Sequence, residues 1–215
     1  KGFIEPMPVI EITASTFFDA DGDGDADLFL GAGGNHQPSY GVQMQNRLYL
    51  NDGKGNFSRS NNPLPKNMGN TSVLLPHDID GDGDLDLFAG SRSMPSNYGV
   101  TPKSVCYIND GKGVFKLLPE AQAGPLTEAG MITGAVWINL DNDPQKELIV
   151  VGDWMAPRTF KFTENKVSEL KNNLSVMHGW WQSIAAADLD GDGDEDIVMG
   201  NLGENFYLRP EEKTP

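Results

Sequence analysis

Short apolar runs recur along the chain, and each pair of them is split by a run of aspartates and glycines. Ala14–Phe18, Val73–Pro76, Ala135–Ile138 and Ile184–Ala187 lead into such a segment. Leu28–Leu30, Leu87–Ala89, Leu148–Val151 and Ile197–Met199 leave it, each followed by a glycine at Gly31, Gly90, Gly152 or Gly200. After a connection of varying length comes a third run, at Arg47–Leu50, Val105–Ile108, Thr159–Phe162 and Asn205–Leu208. In the first two units Asn51–Gly55 and Asn109–Gly113 follow, both spelling Asn-Asp-Gly-Lys-Gly. That stretch predicts a tight hairpin turn, with a fourth strand beginning at Phe57 or Phe115. The runs are too short for helices and lack a helical period.

Aligned on Asp19, Asp78, Asn139 and Asp188, the units are spaced by 59, 61 and 49 residues. Four short strands per unit predict an all-β chain of β-propeller blades. The units run approximately over 13–60, 71–118, 132–170 and 182–210. A β-sandwich has no need of the same acidic loop at the same place in every sheet. Lys1-Gly2-Phe3-Ile4-Glu5 is similar to Lys112-Gly113-Val114-Phe115-Lys116, so residues 1–6 are expected to form a stray outer strand. Two arrangements fit. That strand completes the last blade and closes a small four-bladed ring, or the chain is a piece of a larger propeller, for example a seven-bladed one.

Charge sharpens this picture. The chain has 215 residues and a formal net charge of −15. Asp19–Asp27, Asp78–Asp86 and Asp188–Asp196 together hold 15 aspartates, and the other 16 acidic residues are balanced by 16 Lys plus Arg. The acidic excess therefore sits in three loops. A nucleic-acid partner is not expected, because that needs a basic footprint; cations are. No apolar run approaches the ~20 residues of a membrane-spanning helix. The single cysteine, Cys106, lies in the apolar run Val105–Ile108 and reads as a small buried hydrophobe.

In the first loop, Asp19, Asp21, Asp23 and Asp27 occupy positions 1, 3, 5 and 9, and Asp25 at position 7 offers its backbone carbonyl. The frame repeats in Asp78, Asp80, Asp82, Asp84 and Asp86, and in Asp188, Asp190, Asp192, Asp194 and Asp196. Hard oxygens at alternate positions of a tight loop suit Ca²⁺, which takes about 6–8 of them. No His or Cys enters the loops, which disfavours zinc and copper. The loops are not EF-hands, because position 12 falls inside a strand, at Leu30, Ala89 or Met199. The third loop, Asn139–Glu147, departs from the frame: Pro144 replaces a glycine, Lys146 adds a positive charge and Glu147 replaces the last Asp. Metal binding is expected to be weak or absent there, with Lys146 offsetting part of the negative charge. About three calcium sites are therefore expected.

The loops Asp-x-Asp-Gly-Asp-Gly-Asp-x-Asp, followed by Leu28-Phe29-Leu30-Gly31 or Ile197-Val198-Met199-Gly200, resemble the FG-GAP/VCBS repeat. Asn46–Gly53 and Gly179-Trp180-Trp181 are similar to its bacterial members associated with an ASPIC/UnbV domain. The resemblance covers nearly the whole chain and is partial for the third unit. It implies an integrin-α-like propeller with calcium at loop positions 1, 3, 5, 7 and 9. It implies no single activity, since propellers host many.

The functional expectation is a calcium-binding, extracytoplasmic binding, adhesion or scaffold module within a longer polypeptide. The acidic loops join first to second strands, so they share one face. The longer loops joining second to third strands lie on the opposite face, where His36, Tyr40, Tyr98 and Trp154 are candidates for a glycan or protein ligand. The alternative is a calcium-dependent polysaccharide lyase or hydrolase. The acidic residues outside the loops form no obvious pair for glycoside hydrolysis, and neither Gly-x-Ser-x-Gly nor His-Glu-x-x-His occurs. His77 and His178 read as structural, as do Trp137, Trp180 and Trp181. Extracellular calcium modules work at ~10⁻⁴–10⁻³ M, which places such loops in periplasm, cell surface or secretion.

Overall fold

A computed structural model describes residues 10–36, 41–141, 143–163 and 166–203. Three antiparallel four-stranded sheets follow one another along the chain. The first holds β1 (Glu11–Phe18), β2 (Asp27–Gly33), β3 (Arg47–Asn51) and β4 (Phe57–Arg59). The second holds β5 (Asn70–His77), β6 (Asp86–Ser93), β7 (Val105–Ile108) and β8 (Lys116–Leu117). The third holds β9 (Met131–Ile138), β10 (Glu147–Asp153), β11 (Arg158–Thr163) and β12 (Lys166–Leu170). A pair, β13 (Trp181–Ala187) and β14 (Asp196–Asn201), begins the fourth. Within each four-stranded sheet the strands lie in chain order, the meander of a propeller blade. One single-turn helix, α1 (Glu120–Ala123), interrupts the connection from β8 to β9. Among the described residues no helix is long and apolar enough to cross a membrane. The strand expected at 205–208 and the stray strand at 1–6 lie outside the described residues.

Blades pack through faces of large side chains. Phe18, Phe29, Tyr107 and Phe115 form one aromatic cluster between the first two blades, with ring centroids 5.7–6.5 Å apart. Phe88, Ile132, Leu148, Phe160 and Cys106 lie in the core between the second and third. Each fully buried large side chain contributes about 2–3 kcal/mol. His77 stacks on Trp137 at 4.4 Å and Trp137 on Phe162 at 5.2 Å, so both expected structural residues span a blade boundary. Trp181 is buried and donates Nε1–H to the Met177 carbonyl at 3.1 Å.

The sequence suggested that each second strand ends at its glycine. Instead the strands run on to Gly33, Ser93, Asp153 and Asn201, because each glycine lies across from a β-bulge in the first strand. The bulged residues are Thr13, Ser72, Thr133 and Gln182, each six positions ahead of an acidic loop. A bulge re-aims a side chain. Here it turns three hydroxyls sideways onto the next blade: Thr13 donates to the Thr71 carbonyl at 2.5 Å, Ser72 to Ile132 at 2.6 Å and Thr133 to Trp181 at 2.8 Å. A side chain at Gly152 would stand 2.0 Å from the Met131 carbonyl oxygen. At Gly31 and Gly90 a Cβ would instead meet the next blade, Thr71 at 2.7 Å and Ile132 at 3.0 Å, so there the glycine admits the neighbouring blade.

The Asn-Asp-Gly-Lys-Gly segments form hairpin turns where the sequence placed them. Asn51 pairs with Phe57, so residues 52–56 form the loop. Asp52 Oδ1 accepts from the N–H groups of Lys54 at 2.9 Å and Asn56 at 3.1 Å, and Asp110 does the same for Lys112 and Val114. A carboxylate organises the turn where a two-residue hairpin would use backbone alone.

Candidate metal centre and the opposite face

Every aspartate-rich loop folds around its own carboxylates. The position-1 carboxylate bridges two glycine N–H groups. Asp19 takes Gly22 at 2.8 Å and Gly24 at 2.9 Å, Asp78 takes Gly81 and Gly83, and Asp188 takes Gly191 and Gly193. Position 5 accepts the N–H of position 7, as from Asp23 to Asp25 at 2.9 Å, and likewise in Asp82 and Asp192. Position 9 reaches back to the N–H of position 2: Asp27 to Ala20, Asp86 to Ile79, Asp196 to Leu189. The glycines at position 6 hold φ of 90–98°, a region that excludes other residues at low cost.

Oxygens of Asp19, Asp21 and Asp27 lie within 4.8 Å of one another, as do those of Asp78, Asp80 and Asp86, and of Asp188, Asp190 and Asp192. Asp23 and Asp82 stand outside these tightest groups. The position-7 side chains of Asp25 and Asp84 turn instead against Gly53 and Gly111 in the hairpin turns. Backbone amides of those turns clamp the loops: Asn51 N–H donates to Asp27 and Asn109 N–H to Asp86, each at 2.8 Å. Nothing within either segment alone ties the Asn-Asp-Gly-Lys-Gly turn to the acidic loop. The recurrence of the two together in the first two units was the available signal.

Concentrating carboxylates this way works against their ionisation. Burial, then the Asp27 and Asp23 charges, pushes Asp21 up from the usual carboxylate range. Burial dominates for Asp86, whose pKa is pushed up to about 6 despite the Asn109 and Ile79 amides that favour its anion. Asp80 and Asp27 are raised for the same first reason. Asp21 Oδ1 is buried without a hydrogen-bond partner. An all-oxygen donor set that leaves a buried carboxylate oxygen orphaned fits a hard cation.

The third loop is built differently. Asp141, Asp143 and Glu147 cluster like the others. The cation facing them is Lys161, from β11, which contacts Asp141 Oδ2, lies 2.7 Å from Asp143 Oδ2 and 3.3 Å from Glu147 Oε1. Lys146, expected to offset this loop's charge, reaches across to Glu195 of the fourth loop at 3.2 Å. Lys161 comes from across the strand ladder, so the loop's own nine residues do not reveal it.

On the opposite face, the structure joins two of the four candidate ligand residues. Tyr98 donates its hydroxyl to Asp153 Oδ2 at 3.2 Å, and the next residue, Trp154, stacks on Trp180 at 4.3 Å. His36 stands apart, exposed, with Nδ1 3.1 Å from Glu11. Tyr40 lies outside the described residues. The centre of this face is Asp153, a buried carboxylate missed from sequence. It accepts from Arg92 Nε at 2.8 Å, Trp180 Nε1 at 2.6 Å and Gln182 Nε2 at 3.2 Å. Its signal was the residue after the repeated glycine: Ala32, Ser91 and Asn201 in the other units, an acid only here. Trp154 and Ser96 both hold φ near +60°, rare for residues with a side chain. Beside Arg92 and Gln182 opens a polar depression of about 430 Å³, lined also by Thr13, Asn35, Asn70 and Ser93.

A family model described as an FG-GAP-like repeat matches three overlapping segments, residues 19–89, 78–150 and 139–199. Each match starts on the first residue of an acidic loop and ends in the strand that follows the next one, so the divergent third loop still holds its place in the frame. No curated protein matches the chain.

Proposed function

The chain belongs to the FG-GAP-like repeat family, and on that premise we propose that it is a calcium-stabilised binding module of an extracytoplasmic protein, part of a longer polypeptide. The observation that carries this reading is the orphaned, buried Asp21 oxygen inside a loop that already brings oxygens of Asp19, Asp21 and Asp27 within 4.8 Å of one another. Asp19, Asp21, Asp23 and Asp27, with the Asp25 carbonyl, would hold one ion; Asp78–Asp86 and Asp188–Asp196 would hold two more. Calcium there neutralises carboxylates that otherwise repel, and it ties the strand-joining loops to the hairpin turns. At ~2 mM free calcium and a Kd of ~0.1 mM, each site adds ~1.8 kcal/mol by mass action. Cytosolic calcium would leave such sites unfilled, which supports the extracytoplasmic setting.

The face opposite these loops is the binding surface in this reading. Hydroxyl and amide side chains line its depression, and the one guanidinium, Arg92, is already neutralised by Asp153. The exposed Tyr98 and the Trp154–Trp180 stack add aromatic surface beside it. That combination suits a hydroxyl-rich ligand, a glycan, better than a charged one.

Calcium titration by calorimetry on chelated protein, with a parallel melt, tests the metal. About three equivalents and a higher Tm are expected; no binding sinks the proposal. A glycan array probed in calcium tests the surface, with Trp154→Ala expected to lose its hits while keeping the wild-type Tm. An array without hits at either variant would leave a protein ligand or a purely architectural role as the better reading.

A further inference from the structure

The third loop differs from the others at three places, and the structure makes them parts of one device. In the aspartate loops, position 1 accepts the N–H of position 6, a glycine at φ 90–98°. Pro144 stands at that position in the third loop. Proline has no N–H to give and cannot take a positive φ. The position-1 acceptor then has less to hold, and Asn139 replaces aspartate; its amide donates to the Asp143 carbonyl at 2.8 Å. The third difference is Lys161. The β10–β11 register pairs Leu148 with Phe160, which puts Lys161 across from Glu147. The matching positions, across from Asp27 and Asp86, are Leu50 and Ile108, whose side chains pack toward the core.

One ammonium has three N–H donors. Here it hydrogen-bonds the carboxylates at loop positions 3 and 5, and it stands 3.3 Å from the buried Glu147 Oε1 at position 9, an oxygen with no hydrogen-bond partner that it meets as an ion pair. The lysine side chain is 24% exposed, and Asp141 and Asp143 push its pKa up, so the charge is permanent at any physiological pH.

We propose that the Lys161 ammonium is the resident cation of the third loop, standing where calcium stands in the other three, so that this loop folds without metal. The inference rests on the calcium reading of the aspartate loops and adds a division among them: three respond to calcium, and one between them does not. Lys161 excludes the metal both by charge and by occupying the space among the carboxylates.

The test replaces Lys161 with the residue its neighbours use. Lys161→Leu is expected to melt below wild type in chelator, to regain that loss in millimolar calcium, and to bind one equivalent more than wild type by calorimetry. Lys161→Arg, which keeps the charge, gains no equivalent. A Lys161→Leu protein with the wild-type stoichiometry, and a deficit that calcium leaves untouched, overturns the proposal. So does wild-type protein that takes a fourth ion at this loop. Should Lys161→Leu fail to fold, Asp141→Asn in the wild-type background decides. Its Tm loss is expected to be equal with and without calcium, and a loss confined to calcium overturns the inference. If wild type binds no calcium at all, the reading of the aspartate loops fails, and the extra equivalent in Lys161→Leu still separates the two questions: its gain supports a resident lysine, its absence overturns it.

Discussion

The carboxamide of Asn109 donates to the carbonyl oxygen of Ala20, 89 residues earlier and in the neighbouring blade, at 2.9 Å. It also donates to Leu85 at 3.1 Å, while the Asn109 backbone holds Asp86. One buried side chain thus binds the acidic loops of two blades to one hairpin turn. Asn109→Ala strands two carbonyls and is expected to cost about 2 kcal/mol. Asn51→Ala, whose half-buried side chain donates to the Ala26 carbonyl and accepts the Gly55 N–H, each at 3.2 Å and within its own blade, is expected to cost less, about 1 kcal/mol. Urea melts of the two variants check the contrast.

Gly111 and Gly55 both hold positive φ, at 69° and 80°, but only one is crowded. A Cβ at Gly111 would stand 2.2 Å from Asp84 Oδ2, and at Gly55 nothing lies within 4 Å. Gly55→Ala should lose about 1 kcal/mol, the backbone cost alone. Gly111→Ala should lose more, and it should also weaken calcium binding at the second loop, because the clash falls on that loop. Equal losses, with calcium affinity unchanged, would show that the turn does not brace the loop.

Asp86 sets a pH dependence for the metal-free protein. Its folded pKa of about 6 lies above the ordinary aspartate range, mainly through burial. The folded state therefore holds a proton that the unfolded state releases, and stability falls as pH rises through about 4 to 6. In chelator, Tm is expected to fall between pH 4.5 and 6.5, and in saturating calcium to rise, since the metal needs ionised carboxylates. His77, whose pKa burial pulls down, contributes the opposite slope near neutrality. Asp86→Asn should flatten the chelated profile and leave the histidine part.

Asp153→Ala removes the acceptor shared by Arg92, Tyr98, Trp180 and Gln182. A buried ion pair broken from one side typically costs about 3–5 kcal/mol. With Arg92 still partly open to solvent, about 3 kcal/mol is expected, measured by chemical denaturation. Arg92→Met, which removes the other partner, should cost a similar amount, and the double variant less than the sum.

The strands and the acidic loops were legible because their signals are local. An aspartate at every second position announces a loop from its own nine residues, and Val105–Ile108 reads as a strand on apolar content alone. What the sequence hid is what depends on register. Lys161 meets Glu147 only because Leu148 pairs with Phe160. Thr13, Ser72 and Thr133 look like ordinary strand residues until the bulge turns them outward. Asp153 gathers donors from β6, from the loop after it and from the approach to β13, which no single stretch of sequence brings together.

The bulge-aimed hydroxyls join each first strand to the next one along the chain, from Thr13 to Thr71, Ser72 to Ile132 and Thr133 to Trp181. Such a series carries load as links do. Tension applied across the array passes through every joint in turn, and the array is only as strong as its weakest one. Gln182, at the place of a fourth hydroxyl, sends its amide to Asp153 and the Trp181 carbonyl. In repeat arrays, stability adds from neighbour to neighbour, so Thr133→Val should loosen the third joint and let the last blade peel away under force before the first two separate.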